Sequence, residues 1–444
     1  MGKPEEFDPR LKAYLHRGAG TPPPADLEAR LIAGTRRPRS GWMLQVAAAT
    51  ALLVLAIGLG IAVQRARQSV GVTPTASPIT KPTPYPTPAA SGGLYPLLPP
   101  ASMQMINAST GWAAGSNTNR ILRTTDGGSH WNDVTPKSAK AGTWTTFFLD
   151  GSHAWLASSV QPGSGSPDFS VGIYRTADGG KSWQELGAAA ADQGWPTAMD
   201  FVDSAHGWLF LNLGGAAGSQ GVAFYGTADG GTTWTKLSEA DTSGTAGHLP
   251  LRCSKGVPVF LDASTGWIPG SCAAGGGPFF FVTRDGGRTW NDVAITLPTG
   301  YTGSCMCAIN SLRLSDPRFS ASRRGFFVLD IYGADGAQHD FIYTSPDGGA
   351  HWWAGPSLPP NCFTADFISA AVGWTLDAKA NTVLHTGDGG QHWSTVGTVP
   401  SSQVVLDLQF VNSSIGWAMG SEPAGTTLIK TADGGRTWTT QLSP

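Results

Sequence analysis

The sequence predicts an all-β fold, a seven-bladed β-propeller over residues 101–444, and three observations carry that expectation. An eight-residue stretch, Thr431-Ala-Asp-Gly-Gly-Arg-Thr-Trp438 in its last copy, occurs seven times. Upstream of six copies a Trp follows Gly or Ala in a short apolar run, at Trp112, Trp155, Trp208, Trp267, Trp374 and Trp417. The composition of 59 Gly and 32 Pro with only 14% charged residues suits a turn-rich β protein, not a helical one. Successive copies of the stretch lie 52, 51, 56, 62, 41 and 45 residues apart, the period of a repeat architecture.

The stretch is a turn with an apolar anchor. Its acids are Asp126, Asp178, Asp229, Asp285, Asp347, Asp388 and Asp433, each before Gly-Gly. Such an Asp can accept hydrogen bonds from amides inside the turn while the glycines supply positive φ. The Trp five residues later, at Trp131, Trp183, Trp234, Trp290, Trp352, Trp393 and Trp438, is expected to open the next strand and to bury its ring against the neighbouring repeat. The fifth copy departs by placing Ser345-Pro346 before Asp347. The pattern T-x-D-G-G-x-x-W resembles the Asp-box of sialidase-type propellers. An Asp can also be an acid catalyst or a metal ligand, but seven equivalent copies point to a structural role.

Each repeat reads as four antiparallel strands. In the last these are Leu406–Val411, Ile415–Gly420, Thr426–Thr431 and Trp438–Leu442, with the Asp-box between the third and fourth. Seven such units place blades at about 101–136, 142–188, 196–239, 256–295, 311–355, 362–398 and 404–443. The first unit begins with an inner strand and the last ends with an outer one. Ring closure is therefore expected to rest on packing between blades 1 and 7. Chain order puts the Asp-box turns and the first-to-second turns on one face. The longer inserts and the inter-blade links fall on the other, where function grafted on loops is expected.

Residues before the repeats read differently. Residues 1–41 form a tail with two short helix candidates, one capped by Asp8-Pro9 and one closed by Gly34. Residues 42–64 contain Met43–Val63, 21 uncharged residues, long enough for a transmembrane helix. Eight Lys/Arg precede the span and two follow it closely, which predicts a cytoplasmic N-terminus and an extracytoplasmic propeller on a single-pass membrane anchor. A cleaved signal peptide would need an n-region of about forty residues, so an uncleaved anchor is expected. The Pro/Thr-rich linker 65–100 reads as a polyproline-II stalk, at about 3.1 Å per residue reaching roughly 100 Å.

Five cysteines, Cys253, Cys272, Cys305, Cys307 and Cys362, fall on the insert face of blades 4–6. An exported compartment permits disulfides. Cys253 and Cys272 flank adjacent antiparallel strands and are the first expected pair, with Cys305 or Cys307 to Cys362 a second. Arg313, Arg318, Arg323 and Arg324 form the densest basic run in the repeat region. They read either as a solvated loop or as a contact for an acidic peptide or a C-terminal carboxylate.

Residues 101–444 carry eighteen Lys/Arg against twenty-six Asp/Glu, which disfavours a nucleic-acid partner. The sequence has no recognisable nucleotide, haem or metal motif, so no cofactor is expected. Seven units pairing Gly-Trp with T-x-D-G-G-x-x-W resemble the photosystem II stability/assembly factor family. That resemblance implies a non-enzymatic module that holds a protein client. The alternative is an Asp-box glycoside hydrolase or carbohydrate-binding propeller. A sialidase-like mechanism needs a Tyr activated by a Glu, yet the repeat region holds only Glu185, Glu239 and Glu422. A protein or glycan ligand outside the membrane is therefore expected, bound without catalysis.

Overall fold

The computed structural model describes residues 100–444 except 116–118, 140–141, 160–170, 189–193, 216–217, 242–246, 273–277, 302–305, 315–324, 333–337, 401–403, 423–424 and 443–444. The predicted tail and span lie outside the described residues, as does the stalk apart from Pro100. Among the described residues no helix is long and apolar enough to cross a membrane.

The described strands form seven antiparallel blades in chain order. Blade 1 comprises Pro100–Met105, Gly111–Gly115, Ile121–Thr124 and Asn132–Asp133. Blade 2 comprises Thr143–Phe148, Ala154–Ser159, Val171–Thr176 and Gln184–Ala188. Blade 3 runs Trp195–Phe201, Gly207–Gly214, Gly221–Thr227 and Thr235–Asp241, and Leu249–Pro250 adds a parallel fifth strand. In blade 4 the first strand is broken into Ser254–Lys255 and Val259–Phe260, because Pro258 has no amide to donate; Gly266–Ser271, Phe279–Thr283 and Asn291–Asp292 follow. Blade 5 holds Met306–Leu314, Gly325–Tyr332, Gln338–Ser345 and Trp353–Ser357, and a bridge from Ser271 to Ala308 joins it to blade 4. Blade 6 is Cys362–Phe367, Gly373–Asp377, Thr382–Thr386 and Ser394–Thr398. Blade 7 is Val404–Phe410, Gly416–Glu422, Gly425–Thr431 and Thr439–Leu442. The fourth strand of each blade starts one residue after the Asp-box Trp, not at it.

The Gly-Trp dipeptide is explained by what stands on either side of it. The Gly faces the last residue of the first strand in its own blade, and a methyl on Gly207, Gly266, Gly373 or Gly416 would overlap the ring of Phe201, Phe260, Phe367 or Phe410. Three of these rings then stack on the Trp of the preceding blade, whereas Phe367 meets Phe326 at 5.1 Å with the planes tilted by 60°. Trp155 lies 3.8 Å from Phe201, Trp208 3.5 Å from Phe260, and Trp374 3.9 Å from Phe410, all near-parallel. At these seams one blade presents a flat aromatic face to the next, which clamps a ring over a bare backbone.

The same tryptophans latch blade to blade. The indole N–H of Trp155 donates to Gly230 O at 2.9 Å, that of Trp208 to Gly286 O at 2.8 Å, and that of Trp374 to Gly434 O at 3.0 Å. The acceptor in each case is the first glycine of the next Asp-box. Trp112 reaches Asp150 O instead, at 2.8 Å. The ring closes the same way, with Trp417 donating to Gly127 O at 2.9 Å. Beside it Gln409 exchanges two bonds with the backbone of Met105, and Met103, Met105, Met419 and Leu428 bury the seam. Blades 1 and 7 keep separate four-stranded sheets, so closure comes from packing and side-chain bonds. Each buried indole–carbonyl bond contributes about 0.5–1.5 kcal/mol net.

A second latch uses the residue before the first-strand Phe. The Asp200 carboxylate accepts the amide of Phe260 in the next blade at 2.5 Å, and Asp366 accepts that of Phe410 at 2.5 Å. Burial pushes the Asp200 carboxyl up to about 7, against the pull of the Phe260 and Phe201 amides. The unfolded chain releases this proton near 3.8 and the folded chain near 7, so stability from this group is lost as the pH rises through 7. Asp200→Asn keeps the acceptor and removes the charge. Relative to the parent, the variant is expected to gain stability between pH 4 and pH 8, by at most about 4 kcal/mol. Partial solvent contact of the carboxylate reduces that figure. Urea titrations at pH 4, 6 and 8 measure it; a pH-independent difference would refute the assignment.

Candidate functional site

The seven Asp-boxes share one geometry. In the first, Thr124 Oγ1 accepts the Gly128 amide at 2.9 Å and donates to Asp126 Oδ1 at 2.9 Å. Asp126 Oδ1 also accepts the His130 amide at 2.9 Å, and Oδ2 meets the His130 ring at 2.6 Å. The residue four positions after each Asp repeats this double contact, through Ser182, Thr233, Thr289, His351, His392 and Thr437. All fourteen Gly-Gly residues have positive φ, between 71° and 96°, as the turn requires. The Ser182 and Thr437 hydroxyls, followed by their amides, hold Asp178 and Asp433 down at about 2. Both carboxylate oxygens are thereby taken up within the turn, which leaves these acids poorly placed to transfer a proton or bind a metal. Among the described residues no group of three His, Cys, Asp or Glu could hold a metal ion.

The two faces are fixed by hydrogen bonds. The first Asp-box glycine donates its amide to the first-to-second turn of its own blade, as Gly127 does to Ser109 O, Gly179 to Ser152 O and Gly434 to Ser414 O. Both turn types therefore lie together, and the inserts and links occupy the opposite side.

On the insert side the best-built feature joins blades 3 and 4. Cys253 and Cys272 form a disulfide with their Cα atoms 4.5 Å apart, beside the paired residues Ser254 and Ser271. Lys255 is buried, and its ammonium donates to four carbonyls, those of Gln220, Leu251, Arg252 and Cys253, at 2.8–3.1 Å. Burial and then the Arg252 charge push Lys255 down to about 8. Both cations lie over the Phe279 ring, at 5.6 Å for Arg252 and 5.4 Å for Lys255. Lys255 is occupied by the backbone, whereas the exposed Arg252 reaches the disulfide sulfurs, at 3.6 and 3.8 Å, besides the Phe279 ring. An exposed guanidinium held over a ring can take a peptide carboxylate. Reduction of the disulfide, or Cys272→Ser, is expected to lower stability by about 2–4 kcal/mol. Thermal unfolding with and without reductant measures this, and an unchanged Tm would show that the knot holds without the bridge.

An open cavity of about 450 Å³ lies between blades 1 and 2, lined by Asn119, Asp133, Thr135, Pro136, Lys137, Ala139 and Trp144. Other expected positions divide. Cys362 is a buried free thiol, not the partner of Cys305 or Cys307, and burial pushes it up to about 11. Cys307 lies within the first strand of blade 5. Arg313 sits in that strand opposite Phe326, while Arg318, Arg323 and Arg324 lie outside the described residues in the segment joining the first and second strands. Glu185 and Glu239 are exposed on fourth strands, and Glu239 pairs with Lys236 at 2.6 Å. The sequence reading missed Lys255 and Asp200, since nothing local marks a lysine or aspartate whose partners come from other strands.

No protein-family model matches the sequence. The photosystem II assembly lipoprotein Ycf48 of Synechococcus sp. (strain CC9902) is 27% identical over 226 residues, 49% of this chain and 58% of that protein. The propeller resembles Ycf48. A solved structure of YCF48 from Cyanidioschyzon merolae matches with a TM-score of 0.52 at 16% identity, covering 76% of this chain and 97% of that one, which shows the shared fold. A probable oligoxyloglucan-reducing end-specific xyloglucanase of Neosartorya fischeri is 25% identical over 219 residues, 43% of this chain and 26% of that enzyme. The chain thus spans little more than half of the Ycf48 relative and a quarter of the xyloglucanase.

Proposed function

We propose that the chain is a membrane-anchored, extracytoplasmic propeller that binds a protein client without catalysis, as an assembly or stability module. The observation that carries this reading is the 226-residue similarity to a photosystem II assembly lipoprotein. The commitment of the Asp-box carboxylates to their own turns supports it, because each of these acids already accepts hydrogen bonds on both oxygens within its turn. The anchor is the apolar stretch Met43–Val63, and the client is a membrane protein or its precursor within reach of the stalk. Arg252 on the insert face and the basic run Arg313–Arg324 are the proposed contacts for acidic or C-terminal peptide groups.

The likeness to a xyloglucanase supports a second reading, glycan binding or hydrolysis. The test is affinity capture by the full-length chain from detergent-solubilised membranes of its own organism. Enrichment of one membrane protein, lost in Arg252→Glu or in Arg323→Glu/Arg324→Glu, supports the client reading. Release of reducing ends from xyloglucan by the purified chain, with no enriched protein, replaces it with the second.

A further inference from the structure

Seven repeats allow each seam to be compared with the other six, and blade 5 stands apart on both sides. At the seam from blade 4, Trp267 is fully buried but its Nε1 has no hydrogen-bond partner. At the seam to blade 6, Phe326 replaces the latching Trp and has no N–H to give. The second latch, by which Asp200, Asp366 and Gln409 accept the next blade's amide, is missing at both seams too, since blade 4 has Val259 and blade 5 has Arg313, neither of which carries an acceptor. Phe147 of blade 2 lacks one as well, so the indole bonds are what distinguish blade 5.

The Asp-box tryptophans repeat the pattern. Those of blades 1, 2, 3, 4 and 7 each donate their indole proton, to Gly128 O, Val134 O, Gly231 O, Ser238 Oγ and Gly435 O. Those of blades 5 and 6, Trp352 and Trp393, do not. Three buried indole N–H groups without a partner therefore gather at the two seams of one blade. The side-chain packing there is mostly apolar, with Trp267, Phe280, Phe327 and Trp352 on one side, where Arg284 also lies 5.6 Å over the Trp267 ring, and Val328, Ile342 and Cys362 on the other. Such contacts are non-directional and resist sliding less than hydrogen bonds do.

Two polar ties run from blade 5 toward blade 4: at the insert end Ser271 bridges to Ala308, and the Tyr343 hydroxyl reaches Thr296 O in the inter-blade link at 2.7 Å, the same contact that Tyr174 makes with Ser138 O in blade 2. We infer that blade 5 is the mobile segment of the ring: it swings out at its Asp-box end, hinged on the Ser271–Ala308 bridge, while the other six blades stay latched. This is independent of which ligand the propeller binds.

Hydrogen exchange on the full chain tests it. Amides of blade 5 near the Asp-box end, in the ladder from Phe326/Thr344 to Val328/Ile342, are compared with the matching ladder from Trp155/Arg175 to Ala157/Ile173 in blade 2. Blade 5 is expected to exchange at least about tenfold faster, through openings short of global unfolding. Phe326→Trp, which offers Gly389 O the missing donor, is expected to slow blade 5 alone. Equal protection in the two blades, or a folded Phe326→Trp with unchanged exchange, overturns the inference. Should Phe326→Trp fail to fold, Trp155→Phe decides, because removing a latch must bring the blade 2–3 seam toward the rate of blade 5, and an unchanged rate there overturns the inference.

Discussion

Trp417→Ala is expected to cost about 3–5 kcal/mol, among the largest effects of any single substitution in the ring. The ring has no exposed surface, stands at the seam between the last blade and the first, and packs with Met103, Met105, Met419 and Leu428. Its indole also holds Gly127 O, 290 residues away in sequence, and Lys430 lies 5.1 Å over its face. Alanine removes the packing, the bond and the cation contact together, and the buried carbonyl is left without its donor. Trp417→Phe separates these effects. It keeps most of the apolar surface and loses the N–H, for an expected cost of about 1–2 kcal/mol. Urea unfolding of both variants measures the difference. A cost below about 1 kcal/mol for the alanine variant would mean that closure does not depend on this seam.

Acid is expected to unfold the propeller cooperatively between pH 4 and pH 2. The carboxyls of Asp126, Asp178, Asp347, Asp388 and Asp433 are held at about 2, below their ordinary 3.8, and those of Asp229 and Asp285 are lowered in the same direction. For Asp388 the leading cause is the His392 amide, then its ring; for Asp126 and Asp347 the bonds from His130 and His351 overcome a burial effect of opposite sign. A depressed pKa contributes stability that is present above 3.8 and lost as the pH falls through 2, because only the unfolded chain takes up protons in that window. Seven turns titrating together make the loss steep. Asp200 works in the opposite sense between 3.8 and 7, so maximal stability is expected near the lower part of that range. Circular dichroism against pH follows the transition. A transition midpoint above pH 4.5 would point to other groups, and Thr437→Val, which deletes the Oδ2 contact, should raise the Asp433 pKa in a carboxyl NMR titration.

The local chemistry of the repeats was legible because it is written in neighbouring residues. Thr, Asp, Gly-Gly and the residue four after Asp form a closed set of short-range bonds, so seven copies imply seven like turns whatever surrounds them. Seven turns, each behind three alternating strands, leave a propeller as the economical assembly. The Cys253–Cys272 pairing follows from the same adjacency. Other features are contacts between blades, and no local pattern encodes them. The Gly of Gly-Trp exists because Phe201, Phe260, Phe367 or Phe410 packs on it, and the Trp, except Trp267, donates to a turn in the next blade, or in blade 1 for Trp417.

By itself the sequence determined the repeat, the blade count and the structural use of the Asp-box acids, since these depend on residues within about eight positions of one another. Only the tertiary structure decided which seams carry polar latches, that Asp200 and Lys255 are buried among partners from other strands, and that Cys362 stays unpaired. A hydrogen bond or a buried charge is set by which atoms meet across a distance of about 3 Å, and between blades that meeting is arranged by the closed ring.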